Sequence, residues 1–186
     1  MAANSNTVTT HRSNKSKRVS ADESGTALLE FAITLPVLLI LYLGCVQICD
    51  AVSVYRKTTT TTRTIADLTS QYAKVTNEDL DAIMGASSQI MAPYATAGLR
   101  MILTQVTVSA TGVATVDWSR GSGVAGDVVG STYTLPTGVG VNGTSLVIGK
   151  VNYDYVANMG GIVRTDIPLG DTIYMYPRST TKIPKI

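Results

Sequence analysis

Hydrophobic and polar positions divide the first part of the chain into a polar stretch and an apolar one. Residues 1–25 are polar, rich in Ser, Thr and Asn, and show no apolar periodicity. Residues 26–49 form an almost continuous apolar run, which as a helix would span roughly 36 Å and could cross a bilayer. The run is longer than the apolar core of a cleaved secretory signal, about 7–15 residues. The pattern predicts a polar leader followed by a transmembrane helix.

Helical spacing continues beyond the apolar run. Residues 50–74 are predicted to extend the helix out of the membrane. The β-branched run Thr58–Thr62 disfavours a helix, so a low-complexity stalk is the alternative interpretation. The residues that follow helical spacing are Val52, Tyr55, Thr59, Thr62, Ile65, Ala66 and Thr69.

A second, shorter helix is predicted from Asn77 to about Ala92. Thr76 is a suitable N-cap, acidic residues occupy the first turn, and Pro93 should end the helix. Its apolar face carries Leu80, Ile83, Met84, Ser87 and Met91.

Beyond about residue 100 the apolar residues recur at every second position, which predicts strands. The expected strands cover 101–108, 113–118, 146–156 and 172–176; Gly-rich loops separate them, and the tail 178–186 is expected to fray. The chain should therefore have an α+β fold: a long N-terminal transmembrane helix that extends out of the membrane as a stalk, a shorter helix, and a small antiparallel sheet of about four strands. The α+β domain is predicted to occupy residues 75–186.

Charge is sparse and unevenly placed. Charged residues make up 15% of the chain, against about 25% in a typical protein. The net charge of +2 comes from the leader, which carries Arg12, Lys15, Lys17 and Arg18. By the positive-inside rule the leader should stay in the cytoplasm, with residues 50–186 on the other side of the membrane. The neutral remainder argues against a nucleic-acid-binding face.

The chain has few of the side chains that catalysis or metal binding requires. The single histidine, His11, lies in the leader, so no Ser/His/Asp or Cys/His arrangement can be assembled. The pattern Gly121-x-Gly123-x-x-Gly126 matches the glycine motif of dinucleotide-binding sites. It lies in no predicted βαβ unit, however, which indicates a flexible loop. We therefore expect neither an enzyme nor a cofactor, a metal site or a small-molecule substrate. Cys45 and Cys49 are expected to be small apolar helix residues, with an intermolecular disulfide or a lipid attachment as alternatives.

One charge, Glu30, stands inside the apolar run, where a carboxylate costs roughly 2.5–3.5 kcal/mol on insertion scales. Five residues before it lies Gly25, whose peptide bond could enter a narrow protease cleft at the membrane surface. Cleavage there would make Thr26 the new N-terminus, and its ammonium could pair with Glu30 of a neighbouring subunit. A helix-start carboxylate at headgroup level is the other interpretation, and both stay open. Pro36 should kink the helix.

The run Gly25–Leu39, with Glu30-Phe31-Ala32 and Leu35-Pro36, resembles the N-terminal segment of TadE/TadG-like minor pseudopilins of tight-adherence (Tad, Flp-type) pilus systems. The resemblance implies a processing site at Gly25, Thr26 and Glu30, cut after Gly25 by a prepilin peptidase. It implies subunit docking through Thr26, Glu30 and Phe31.

The implied partners are the peptidase, other pilins or pseudopilins, an inner-membrane assembly platform and the lipid bilayer. The implied location is the bacterial inner membrane, single-pass, with a periplasmic C-terminal domain and possible incorporation into an extracellular pilus that serves adhesion. An uncleaved single-pass anchor carrying a periplasmic binding domain is the alternative function.

Overall fold

The computed structural model describes residues 23–159 and 163–186, with side chains at 25–157 and 166–186. The leader residues Arg12, Lys15, Lys17 and Arg18 lie outside these ranges. The chain forms two compact units, one ending at Leu41 and the other covering Tyr42–Ile186. The helices are α1 (Glu23–Ser70) and α2 (Asn77–Ser88), with short 3₁₀ turns at Gln89–Met91 and Thr96–Gly98. The strands are β1 (Leu99–Val108), β2 (Ala114–Ser122), β3 (Thr132–Tyr133), β4 (Ser145–Met159) and β5 (Val163–Met175).

The strands form one antiparallel sheet in the order β3-β2-β1-β4-β5, which confirms the predicted α+β class. The short β3 adds a fifth strand within the stretch predicted as a loop. Strands β4 and β5 are longer than expected and pair from Val147–Met175 to Met159–Val163. Pro168 is accommodated inside β5 because β5 is an edge strand, where a missing backbone N–H breaks no ladder on the outer side.

The part of α1 from Tyr42 onward packs with α2 on one face of the sheet. Gly149 of β4 allows the close approach, since a Cβ built there would lie 3.1 Å from the Thr62 carbonyl oxygen and 3.1 Å from Ala66 Cβ. The main core forms between these layers from Val54, Ile65, Val75, Leu80, Ile83, Met84, Met91, Leu99, Met101, Leu103, Trp118, Val147, Val151, Tyr153, Tyr155 and Ile183.

The threonine run of α1 is helical and largely buried. Thr58, Thr61, Thr62 and Thr69 are fully buried, and each hydroxyl donates to the carbonyl four residues earlier at 2.7–3.0 Å. This bond satisfies the hydroxyl inside the helix, so the side chain can be buried despite its poor helix propensity.

The residues of α1 that follow helical spacing are buried only toward its C-terminal end. Thr62, Ile65, Ala66 and Thr69 are buried, whereas Val52 and Tyr55 are 46% and 48% exposed. Near Val52 and Tyr55 the fully buried residues are Val54 and Thr58.

The prediction for α2 is confirmed. Thr76 and Asp79 form a capping box, with the Asp79 N–H donating to Thr76 Oγ1 at 3.1 Å and the Thr76 N–H donating to Asp79 Oδ2 at 2.9 Å. The whole predicted apolar face is buried. The α-helix ends at Ser88, and a 3₁₀ turn continues to Met91 before Pro93.

The prediction that the tail frays is wrong. Ile183 is fully buried, its N–H donates to Gln105 Oε1 at 3.0 Å, and its carbonyl accepts from Trp118 Nε1 at 2.8 Å. Lys185 also pairs with Val75 in a parallel bridge. One large apolar side chain and three hydrogen-bonding partners fix a segment whose polar composition suggested mobility.

The second face of the sheet is covered by the connection between β2 and β4. A smaller apolar cluster forms there from Val106, Val108, Ala114, Val116, Leu146 and Ile148. Of the three glycines in the Gly-x-Gly-x-x-Gly pattern, Gly121 lies in β2, and Gly123 and Gly126 lie in the tightly packed segment that follows it rather than in an open loop. A Cβ at Gly121 would lie 2.1 Å from the Val124 carbonyl oxygen, and one at Gly126 would lie 2.8 Å from Ser119 Oγ. These glycines serve close backbone packing.

Candidate processing and membrane-anchoring segment

The apolar surface of α1 has the dimensions of a bilayer. Among the described residues, α1 is the one helix long and apolar enough to cross a membrane. Large apolar side chains are exposed along it from Leu28 to Tyr55, and beyond Tyr55 the next exposed residues are polar or basic. These 28 residues span about 42 Å, which matches the roughly 40–45 Å of a bilayer with its headgroups. The helix is suited to act as a membrane anchor.

Two carboxylates bracket the charge-free part of this helix. Between Glu30 and Asp50 lie 19 residues without a charge. They span about 29 Å as a helix, close to the roughly 30 Å hydrocarbon core of a bilayer. An upright helix would therefore hold both carboxylates at the borders of the hydrocarbon, where their desolvation is smallest.

Gly25 lies in the first turn of α1, and the local structure does not require a glycine there. Among the described residues, no atom beyond the neighbouring residues and the helix backbone lies within 4 Å of a Cβ built at Gly25, and its φ is outside the left-handed region. Glycine in a helix costs about 1 kcal/mol relative to alanine. The first-turn N–H groups also lack intrahelical partners, so the helix opens at low cost at the Gly25–Thr26 bond.

The other predicted site residues lie close to this bond along the same helix. Thr26 and Glu30 are four residues apart and therefore share a face. Both are exposed, as is Phe31, at 58%. The Glu30 carboxylate has no partner among residues 23–159 and 163–186, while its backbone carbonyl accepts from Thr34 Oγ1 at 2.9 Å. The surface is open to another subunit or to lipid headgroups.

Pro36 lies inside α1, which remains helical on both sides of it. The predicted kink stays a prediction. Cys45 and Cys49 are exposed and free on the same helix. Their exposure is compatible with lipid contact, with an intermolecular disulfide and with a lipid attachment, so the alternatives stay open.

Asp50 anchors α1 to the α+β part of the second unit. Asp50 Oδ1 accepts from the Tyr94 hydroxyl at 2.6 Å, and Oδ2 accepts from the Tyr155 hydroxyl at 2.8 Å. The Tyr155 hydroxyl also lies 3.1 Å from Gln47 Oε1. We call Asp50, Tyr94 and Tyr155 the Asp50 clamp.

The electrostatics of the Asp50 clamp follow from this geometry. Burial, with the hydrogen bond to Asp50, raises the pKa of Tyr155 to about 12. The hydrogen bond to Asp50 likewise raises the pKa of Tyr94. Both phenols therefore stay protonated donors well above neutral pH.

Sequence reasoning missed the Asp50 clamp. Its members lie 44 and 105 residues apart, and no local pattern connects them. The one available signal was that Asp50 is the first charged residue after the apolar run. A carboxylate at that position is stabilised by a hydrogen-bond donor.

The comparisons with known proteins agree with the resemblance inferred for the N-terminal segment. Residues 25–67 match the model of a family described as TadE-like protein, which confirms the resemblance read from the sequence. This family comprises pilus components rather than enzymes. No curated protein and no solved structure matches the chain. In the part of the chain that the structure describes, no cluster of three or more metal-ligating side chains occurs.

Proposed function

With a TadE-like segment at residues 25–67 as the premise, we propose that this chain is a minor pseudopilin of a Tad-type pilus. It is inserted in the inner membrane with its leader in the cytoplasm. A prepilin peptidase cuts after Gly25, and the mature chain takes part in the initiation, assembly or tip of the pilus. The family match carries the proposal, because it begins at the residue after which cleavage is expected.

Two observations on α1 support the processing step. Within the described residues the glycine at position 25 packs against nothing and needs no special φ, so a requirement for a small residue in a protease cleft accounts for it better than folding does. The scissile bond also lies in the helix turn that opens most easily.

The exposed face of α1 supports the assembly step. The new ammonium at Thr26 would lie one turn from Glu30, and a neighbouring subunit could bring its own ammonium to that carboxylate. Pairing would reduce the cost of holding both charges at the hydrocarbon border. Phe31 adjoins this pair as an exposed apolar contact.

The processing step is tested by Gly25→Val, expressed with the cognate prepilin peptidase. We expect the variant to accumulate as the full-length precursor in the membrane, because a branched side chain blocks the cleft. Gly44→Val is the matched control, since Gly44 lies on the same helix and a Cβ there also meets open space. Equal cleavage of the Gly25→Val variant and the control would contradict the assigned site.

Glu30→Gln separates assembly from processing. The peptide bond that is cut is unchanged, so cleavage should persist, and removing a charge should leave insertion intact. Recovery of the other pilins with this chain, and pilus production, should fall. Normal assembly by Glu30→Gln would show that Glu30 is only a headgroup-level helix start.

An uncleaved single-pass anchor that carries a periplasmic binding domain is the competing function. It predicts that the protein recovered from membranes keeps residues 1–25 with or without the peptidase. The Gly25 experiment therefore decides between the two functions.

A further inference from the structure

The α+β part of the second unit does not stand away from α1 on a stalk. Tyr94, in the loop after α2, and Tyr155, in β4, reach α1 as far toward the apolar run as Asp50 and Gln47. Lys57, two turns further on, donates from Nζ to the Ile90 carbonyl at 3.1 Å. The contacts therefore extend to the level of α1 at which the apolar surface is still exposed.

The segment held next to Asp50 is Ala92–Ala97, which we call the 92–97 loop. Apart from half-buried Tyr94, its residues are all exposed. They are small or apolar, and the chain carries no charge across the 18 residues between Asp81 and Arg100. Contact with the border of a bilayer would therefore desolvate no charge in this stretch, and Tyr94 has the amphipathic side chain favoured at membrane interfaces.

Depth along α1 fixes where this loop lies in a membrane. Asp50 follows 19 uncharged residues, about the hydrocarbon thickness, so it marks the outer border of the core. The headgroup layer extends roughly 5–8 Å beyond that border. Tyr94 is hydrogen-bonded to Asp50 itself, so the 92–97 loop falls within this layer. Exposed Arg56 lies about 9 Å beyond Asp50 along the helix, just outside this layer.

We propose that the 92–97 loop is a lipid-contacting surface, which rests the α+β part of the second unit on phospholipid headgroups beside α1. The proposal is continuous with the exposed apolar surface of α1 and rests on the membrane-anchor part of the proposed function. Its occupant is the lipid surface. A second copy of the chain or another pilus subunit on this loop is a distinguishable result.

The test uses the full chain with Cys45→Ser and Cys49→Ser, reconstituted in vesicles of phosphatidylcholine and phosphatidylglycerol. A single Ala95→Cys carries an environment-sensitive fluorophore, and quenching by headgroup spin-labelled lipid is measured. Ala110→Cys is the matched control, because Ala110 is exposed in the turn at the opposite end of β1, about 30 Å along the strand from Leu99. Leu38→Cys, quenched by deep spin labels, reports insertion of α1.

We expect blue-shifted emission and several-fold stronger quenching at Ala95 than at Ala110. Equal quenching at the two positions, with Leu38 still quenched by deep labels, overturns the proposal while the anchor stands. A probe at Ala95 that is shielded from water yet not quenched by lipid labels also overturns it, in favour of a protein partner. If Leu38 is not quenched, the membrane anchor itself fails. Ala97→Cys replaces Ala95→Cys if the latter does not fold.

Discussion

The Asp50 clamp makes a quantitative prediction about how α1 is held to the α+β part of the second unit. Tyr155→Phe removes one hydroxyl and keeps the ring, which is 5% exposed in the core. The lost hydrogen bond, 2.8 Å long, goes to a carboxylate. Hydrogen bonds to charged groups contribute about 1.5–3 kcal/mol. Asp50 is half-buried, so water replaces part of the bond, and we expect a loss of about 1.5 kcal/mol.

The assay is chemical unfolding of the full chain in detergent, followed by the fluorescence of Trp118, the single tryptophan. Trp118 is buried between the layers and reports loss of the core. Tyr174→Phe is the matched control, because Tyr174 is a half-buried tyrosine of β5 whose hydroxyl makes no hydrogen bond to the described residues. The control should change the free energy of unfolding by less than about 0.5 kcal/mol.

A double-mutant cycle with Asp50→Ala isolates the pair. In that background Tyr155→Phe should cost less by at least about 1 kcal/mol, because the carboxylate it served is gone. The reasoning is refuted if Tyr155→Phe costs no more than Tyr174→Phe, or if its cost is the same with and without Asp50.

The pH dependence of the same pair has a definite sign. Folding raises the pKa of Tyr155 from about 10 to about 12, so the folded state holds this proton more tightly than the unfolded state. The stabilisation is fully present below about pH 10 and is lost as the pH rises through 12. The stability difference between the wild type and Tyr155→Phe should therefore be constant near neutrality and shrink in that alkaline window.

Two further predictions use the same unfolding assay. Ile183→Ala should cost about 3 kcal/mol, because it opens a cavity in the core, whereas Ile186→Ala at the 66% exposed neighbour should stay within about 0.5 kcal/mol; equal costs would show that the tail is not anchored. Gly149→Val should cost about 1–3 kcal/mol by pushing α1 off the sheet, whereas Gly85→Ala, in open space on α2, should stabilise by about 0.5–1 kcal/mol. A neutral Gly149→Val would contradict the close packing of α1 on β4.

The sequence predicted those helices and strands that depend on residues a few positions apart in the chain. Thr76 and Asp79 are three positions apart, so the capping box could be read from the sequence. The same holds for the alternation along β1. The fold class followed from these two kinds of signal.

Features that depend on contacts between residues far apart in the sequence could not be predicted from it. The stripe of α1 that is buried depends on where β4 meets the helix, and Gly149 decides that contact from more than 80 residues away. The tail looked polar, but Trp118 and Gln105 supply hydrogen bonds to Ile183 across the fold. Pro168 suggested a loop, because the edge position of β5 was not known.

The residues of the candidate processing site could be identified from the sequence. Gly25, Thr26 and Glu30 were identified from their spacing and from the family resemblance, and the match at 25–67 confirms that resemblance. The structure adds that, among the described residues, nothing packs against a Cβ built at Gly25, and that Glu30 and Asp50 lie on one helix whose uncharged part between them has about the length of a bilayer core. The Asp50 clamp came from the structure alone, since it joins three separate parts of the chain.

The measurement that tests the central claim most directly is the intact mass and N-terminal sequence of the protein purified from membranes that contain the prepilin peptidase. Processing as a pseudopilin predicts a chain that begins at Thr26 and has lost residues 1–25, and the same preparation without the peptidase should keep them. A chain that retains Met1 in the presence of the peptidase, or one that begins at any residue other than Thr26, would contradict the account.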